Sequence, residues 1–219
     1  MGETLQDALV DEIKDLYNAE KQLTKALPKL AKNATNDTLR EALESHLAET
    51  ETHIQRLEQV FGLLDEKPRG KHCAGMAGII QEGNDILQED FEGAVMDACI
   101  IAAGQRSEHY EIAAYGTCIA WAEALGLTNV AELLNETLEE EKAADEKLSA
   151  IAEGDVNEAA TSGEGEDDDS EQDDDEEAGD NEAAEAPMSR QGRQPSQPAT
   201  SARSSKSGKS QGPARRRAN

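Results

Sequence analysis

Four segments of this chain carry apolar residues at alternating steps of three and four, and each seam is broken near its middle by acidic or imidazole side chains. Steps of this kind are the mark of helices that pack side by side in a bundle. Over about 3–32 the apolar positions are Leu9, Ile13, Leu16, Leu23, Leu27 and Leu30, and Glu20 fills the gap. Pro28 falls inside this pattern and is expected to kink the last turn or end the helix early. Over about 37–64 the seam Leu39, Leu43, Leu57, Val60, Leu64 is interrupted by His46, Thr50 and His53, with Glu49 on the same face. Asn36 or Asp37 can cap its start. From about 90 to 125 the seam is Phe91, Ala94, Ala98, Ile101, Ile112, Tyr115, Ile119 and Ala122, interrupted by Gln105 and Glu108. From about 128 it is Val130, Leu134, Ala144, Leu148 and Ile151, interrupted by Thr137 and Glu141.

The first and second segments are joined by a short linker, as are the third and fourth, so each pair is antiparallel. A connection of about 25 residues separates the pairs and should hold one short helix around 76–87. Two hairpins joined by one long crossover is the connectivity of ferritin-like bundles. Aromatic residues are scarce and no alternating run competes as a strand. The expected fold is therefore all-α, a ferritin-like four-helix bundle with one long crossover, followed by a disordered C-terminal tail.

A lone ionised carboxylate in an apolar core costs several kcal/mol unless paired. Here Glu20, Glu49, Glu108 and Glu141 point at one core from similar depths, and no basic residue occupies a seam position near them. Bound cations are the simplest counter-charge. Carboxylates with one or two imidazoles and no thiolate suit iron or manganese better than zinc, and carboxylates from four helices can bridge two metals. Glu111 follows Glu108 by three and Asp145 follows Glu141 by four, which extends the ligand set by one turn. The expected metal ligands are Glu20, Glu49, His53, Glu108, Glu111, Glu141 and Asp145, around two Fe ions with Mn as the alternative. His46 against His53, and Glu140 against Glu141, stay open. Tyr115 reads first as a packing residue, with a hydrogen-bonding or redox role beside the metal as the alternative. Cys99 and Cys118 read as small core fillers.

The ordered unit is expected to span residues 1–152. Residues 153–189 carry seventeen acidic and no basic side chains, an acidic disordered linker; residues 190–219 carry eight basic and no acidic ones, a basic Ser/Pro/Arg-rich disordered tail. The net charge of −26 repels nucleic acid and anionic membrane. Nucleic acid is expected as a partner only through Arg215, Arg216 and Arg217. Three cysteines without a Cys-x-x-Cys pair make no disulfide framework. No leader pattern or long apolar run stands in the sequence, so a cytoplasmic location is expected.

The blocks TLQDALVDEIKDLYNAEKQLTKALPKLAK, HLAETETHIQRLEQVF, SEHYEIAAYGTCIAWAEALG and LLNETLEEEKAADEKL, taken in order, resemble the YciE/YciF family of ferritin-like proteins over about 3–152. The resemblance implies a rubrerythrin-like bundle, a homodimer, and a link to bacterial and archaeal stress responses. It also places Glu20, Glu49, Glu108, Glu111 and Glu141 where related di-iron bundles hold carboxylates. One departure is visible: such bundles use Glu-x-x-His on two helices, whereas here Glu49 and His53 are spaced by four and the fourth segment has no His. The functional expectation is a non-haem di-iron or di-manganese protein oxidising Fe(II) with dioxygen or peroxide. The competing expectation is a non-enzymatic stress-induced dimeric bundle with a structural metal or none.

Overall fold

Thr4 opens the first helix through a reciprocal cap. Its hydroxyl oxygen accepts from the Asp7 N–H, while the Asp7 carboxylate accepts from the Thr4 N–H. The computed structural model describes residues 4–162. From this cap α1 runs Leu5–Asn33. It continues through Pro28 instead of ending early: one backbone bond is lost, but Leu27 and Ala31 are buried and hold the last turn.

Asn36 caps α2, Asp37–Leu63, by accepting from the Leu39 N–H at 3.0 Å. The tight turn before it is fastened from another helix. Asp97 accepts from the Thr35 N–H at 2.8 Å, the Thr35 hydroxyl at 2.6 Å and the Asn36 N–H at 2.9 Å. Sequence periodicity has no way to assign a buried aspartate to a turn sixty residues away.

The crossover contains α3, Ala74–Ile86, close to the short helix expected there. Its Cys73 cap accepts from the Met76 N–H through sulfur, and its Gly75 lies under the Tyr110 ring. A Cβ at Gly75 would stand 2.6 Å from that ring. Tyr110 is pinned by donating to Asp15 at 2.9 Å, so the glycine sets how closely α3 approaches. Next, α4 runs Gly93–Ala124 and α5 runs Thr128–Ile151. Gly126 between them takes φ +73, a left-handed conformation suited to glycine.

The four long helices form a ring: α1 lies against α2 and α4, and α5 lies against α2 and α4, while α3 covers α4. The first half of α4 differs from its expected register. It turns Met96, Asp97 and Ile100 inward, while Phe91 precedes the helix and is exposed. Since α4 meets α3 on one side and the bundle on the other, it is apolar on more than one face, and a single stripe does not mark its inward side.

The boundary expected at residue 152 falls inside continuous helix. A π-helical turn at Ala152–Val156 leads into α6, Asn157–Ser162, and this extension packs on α4. Val156 is the reason, with 2 % of its surface exposed, in the same cluster as Leu148 and Ile100. An isolated valine in an acidic stretch gives no periodic signal, so the sequence alone ends the bundle too early. The rest of the expected acidic linker and the basic tail, including Arg215–Arg217, lie outside the described residues.

Two apolar clusters fill the bundle. One gathers Leu9, Ile13, Leu57, Phe61, Cys118 and Leu134 toward one end. The other gathers Leu23, Leu27, Leu39, Leu43, Met76 and Ile100 toward the other. Between them lies a layer of buried polar side chains. No helix among the described residues is long and apolar enough to cross a membrane.

Candidate metal centre

The middle layer receives Glu20 from α1, His46, Thr50 and His53 from α2, Glu108 and Glu111 from α4, and Thr137 and Glu141 from α5, all buried. The hydroxyls here are satisfied. Thr50 donates to the His46 carbonyl at 2.8 Å, and Thr137 accepts from Arg56 at 2.7 Å. The acids and imidazoles are different. Among the described residues, nine buried side-chain nitrogen and oxygen atoms lack a hydrogen-bond partner, and every one belongs to Glu20, His46, His53, Glu108, Glu111 or Glu141. Native cores leave few such groups, because each costs about 1–3 kcal/mol and more when charged.

These atoms are close together without bonding one another. His53 Nδ1 lies 3.0 Å from Glu141 Oε1 and 3.6 Å from Glu20 Oε2. His46 Nε2 lies 3.3 Å from Glu108 Oε2 and 3.7 Å from Glu141 Oε2. The contacts fall within charge-pair range, yet none is aligned as a hydrogen bond. Potential ligand atoms instead converge on two small volumes. Glu20, His53 and Glu141 surround one, and His46, Glu108 and Glu141 surround the other, with ligand atoms in each group within 4.8 Å of one another. Glu141 belongs to both, with one oxygen directed to each. A carboxylate so placed could serve two cations at once, and a mixed oxygen–imidazole donor set is of the kind that suits iron or manganese.

Supports surround this layer. Tyr115, fully buried, donates its hydroxyl to Glu20 Oε1 and leaves Oε2 facing His53. The outer nitrogen of His53 is 2.9 Å from Glu140 Oε2, and Arg56 holds Glu140 through two nitrogens at 2.8 and 3.2 Å. A ring nitrogen tied to a carboxylate leaves the other free to ligate, the usual arrangement behind a metal-binding histidine.

Burial and the neighbouring charges shift the acids of this layer in opposite directions and raise His53. Burial, reinforced by Glu141 and Glu20, pushes Glu108 well above the ordinary carboxylate range. Burial and the charges of Glu20 and Glu141 do the same to Glu111, and burial raises Glu20. Burial opposes charge on His53, but Glu141 and Glu20 beside it win and lift it to about 10. Burial likewise opposes charge on Glu141, and the facing His53 overcomes it, holding Glu141 low.

Of the expected ligands, Glu20, His53, Glu108, Glu111 and Glu141 come together in this layer. Glu111 offers two unpartnered oxygens one turn from Glu108, outside the two triads. Glu49 and Asp145 are placed elsewhere. The Glu49 side chain is 46 % exposed at the rim, 3.5 Å from His46 Nδ1. Asp145 turns outward to His109 and Gln105, each at 3.3 Å. His46 and His53 both lie in the layer, one in each triad. Glu141 lies inside and Glu140 stands behind His53.

The sequence model of a family described as a domain of unknown function (DUF892) matches residues 4–161. Protein YciF of Escherichia coli (strain K12) is 45% identical over 158 residues, spanning 72% of this chain and 95% of that protein. The crystal structure of the E. coli stress protein YciF matches with a TM-score of 0.69 at 44% identity, covering 71% of this chain and 99% of that one. YcfI from Rhodopseudomonas palustris, for which a structural role has been suggested, matches with a TM-score of 0.67 at 47% identity, covering 68% of this chain and 96% of that one. The family model and these relatives cover the bundle, and the chain belongs to the DUF892 family and is similar to YciF throughout it.

Proposed function

We propose that this stress-family bundle is a non-haem two-metal protein that binds iron, with manganese as the alternative, and oxidises Fe(II) with dioxygen or peroxide. The single observation carrying this reading is Glu141, whose two carboxylate oxygens each complete a separate buried triad. Iron bound there supplies one-electron redox chemistry. Two Fe(II) held by these residues would together supply the two electrons that, with two protons, reduce one peroxide to two waters. The chain's own residues position and shield. Glu20, Glu108 and Glu111 neutralise cationic charge, His46 and His53 supply nitrogen, and Tyr115 fixes the orientation of Glu20. The apolar clusters close the layer from solvent at its two ends. We take the working unit to be a homodimer, as the family resemblance implies, which analytical ultracentrifugation tests.

One feature favours a second reading, a structural metal without turnover. Both imidazoles come from α2 and none from α5, unlike the two Glu-x-x-His helices of di-iron oxidases. Metal analysis of protein purified without chelators, followed by anaerobic Fe(II) titration and addition of peroxide, separates the two. Two irons per chain and peroxide consumption coupled to Fe(III) formation support the oxidase. Bound metal that never changes oxidation state supports the structural role, and no bound metal rejects both.

A further inference from the structure

The two triads are unequally enclosed. At Glu20–His53–Glu141 all three side chains are buried, and the way out past His53 is closed by the Glu140–Arg56 pair. Arg56 also bonds Thr137 and reaches Glu136 at 3.1 Å, so four groups on α2 and α5 form a clamp over this position. At His46–Glu108–Glu141 the α2–α5 seam opens instead. A cavity of about 140 Å³ lies there, walled by Ala42, Ser45, Ala143 and Ala144, with His46 and Glu108 at its inner end. A water occupies about 30 Å³ of liquid volume, so the space admits several waters or a partly hydrated ion.

Small side chains on the facing helices leave this opening. His46 is 5 % exposed with both ring nitrogens unpartnered, and Glu108 is 2 % exposed with Oε2 unpartnered, so unsatisfied donor atoms line its floor. At the rim stand Glu49, Lys147 and Glu140, the last already held by Arg56. The unpartnered carboxylate oxygen and imidazole nitrogens at the inner end suit a cation rather than an anion.

We propose that this groove is the port through which divalent cations reach and leave the centre. The ion at His46–Glu108 exchanges through it, while the ion at His53–Glu20 is retained behind the Arg56 clamp. This rests on the two-metal reading and adds an order of loading and release to it. Glu49, on the groove side of His46, is the first carboxylate an incoming ion meets, which gives a role to an acid that stands outside both triads.

The test uses full-length metal-free protein loaded anaerobically with Co(II), whose release to excess chelator is followed by visible absorption. The expected result is two bound ions leaving in a fast and a slow phase of equal size. Ala143→Leu and Ser45→Leu, at exposed rim positions on different helices, should slow the fast phase by about tenfold, a barrier about 1.4 kcal/mol higher, without changing the slow phase. Arg56→Ala should accelerate the slow phase alone. Because the two rim variants act independently, loss of folding in one leaves the other to report, and thermal melting checks both. Release of both ions in one phase, or parental release rates in a folded rim variant, overturns the port and leaves the two-metal reading standing. Failure of the parent protein to bind Co(II) removes both.

Discussion

Tyr115 on α4, itself part of one apolar cluster, donates its hydroxyl to the buried Glu20 on α1. Tyr115 sits on an apolar seam, where packing is its first reading, yet it orients a carboxylate whose second oxygen faces His53 at 3.6 Å. Replacing it with phenylalanine keeps the ring and leaves Glu20 Oε1 buried without its donor. Tyr115→Phe should lower metal-free stability by about 1–3 kcal/mol, the usual cost of an abandoned buried acceptor. It should also weaken metal binding by about tenfold, as loss of an outer-sphere partner does. Denaturation and Co(II) titration measure the two effects, and unchanged affinity would reduce Tyr115 to packing.

Glu141 should behave unlike any other acid in the layer. Glu141→Gln keeps the volume but removes the carboxylate shared by both triads, so it should abolish tight binding of both ions. Glu20→Ala and Glu108→Ala should each lose one. Metal-free stability should change little in the last two, because a cavity cost of about 1–3 kcal/mol is offset by relief of like-charge repulsion. Metal-bound stability should fall in all three, since a ligand stabilises only the state it binds. Ion stoichiometry from elemental analysis decides this, and two ions retained by Glu141→Gln would contradict the bridging role.

Metal-free protein should lose stability as pH rises from about 5 to about 10. Glu20, Glu108 and Glu111 have folded-state values raised by burial, so their contribution is full below the unfolded value of 4.5 and fades as pH climbs through the raised values. His53 acts in the same direction: raised from 6.5 to about 10, its contribution is present below 6.5 and is lost as pH passes about 10. Glu141 is lowered, so it destabilises only on acidification below 4.5, outside this window. Urea denaturation at fixed pH values checks the slope. Loaded protein should show the reverse trend up to about pH 8, because protons compete with the metal.

Val156 should anchor the π-helical turn and α6 to the bundle. Val156→Ala removes two buried methyl groups and should cost about 2 kcal/mol. Truncation after Ala152 should cost at least as much, because it strips this packing from α4. A melting midpoint unaffected by both changes would mean that the extension adds nothing to the fold.

Asp97→Ala should destabilise by about 2–3 kcal/mol, since a buried carboxylate accepting three hydrogen bonds holds the α1–α2 turn. Metal stoichiometry should stay at the parental value, because Asp97 lies at one end of the bundle away from the polar layer. A loss of bound metal in folded Asp97→Ala would show that the turn and the centre are coupled.

Periodicity alone determines the four helices, their pairing and the level at which carboxylates interrupt the core, because an amphipathic stripe is a local property repeated every 3.6 residues. It also brings Glu20, Glu108 and Glu141 together, each the polar member of an otherwise apolar row. What it leaves open depends on how each helix is rolled and what its neighbours cover. His46 and His53 are seven residues apart, two turns along one face, so spacing cannot choose between them, and the folded chain places one in each triad. Glu140 and Glu141 differ by about 100° of rotation. Only the roll of α5 against α2 puts Glu141 between the histidines and Glu140 against Arg56. Glu49 lies about 50° off the line of the two histidines, enough to carry its carboxylate to the rim, and Asp145 is drawn outward by His109 and Gln105. Asp97 holding a turn, Tyr115 holding Glu20 and Val156 closing the far end are all contacts between residues distant in sequence. No local pattern encodes them, because each exists only after the helices have packed.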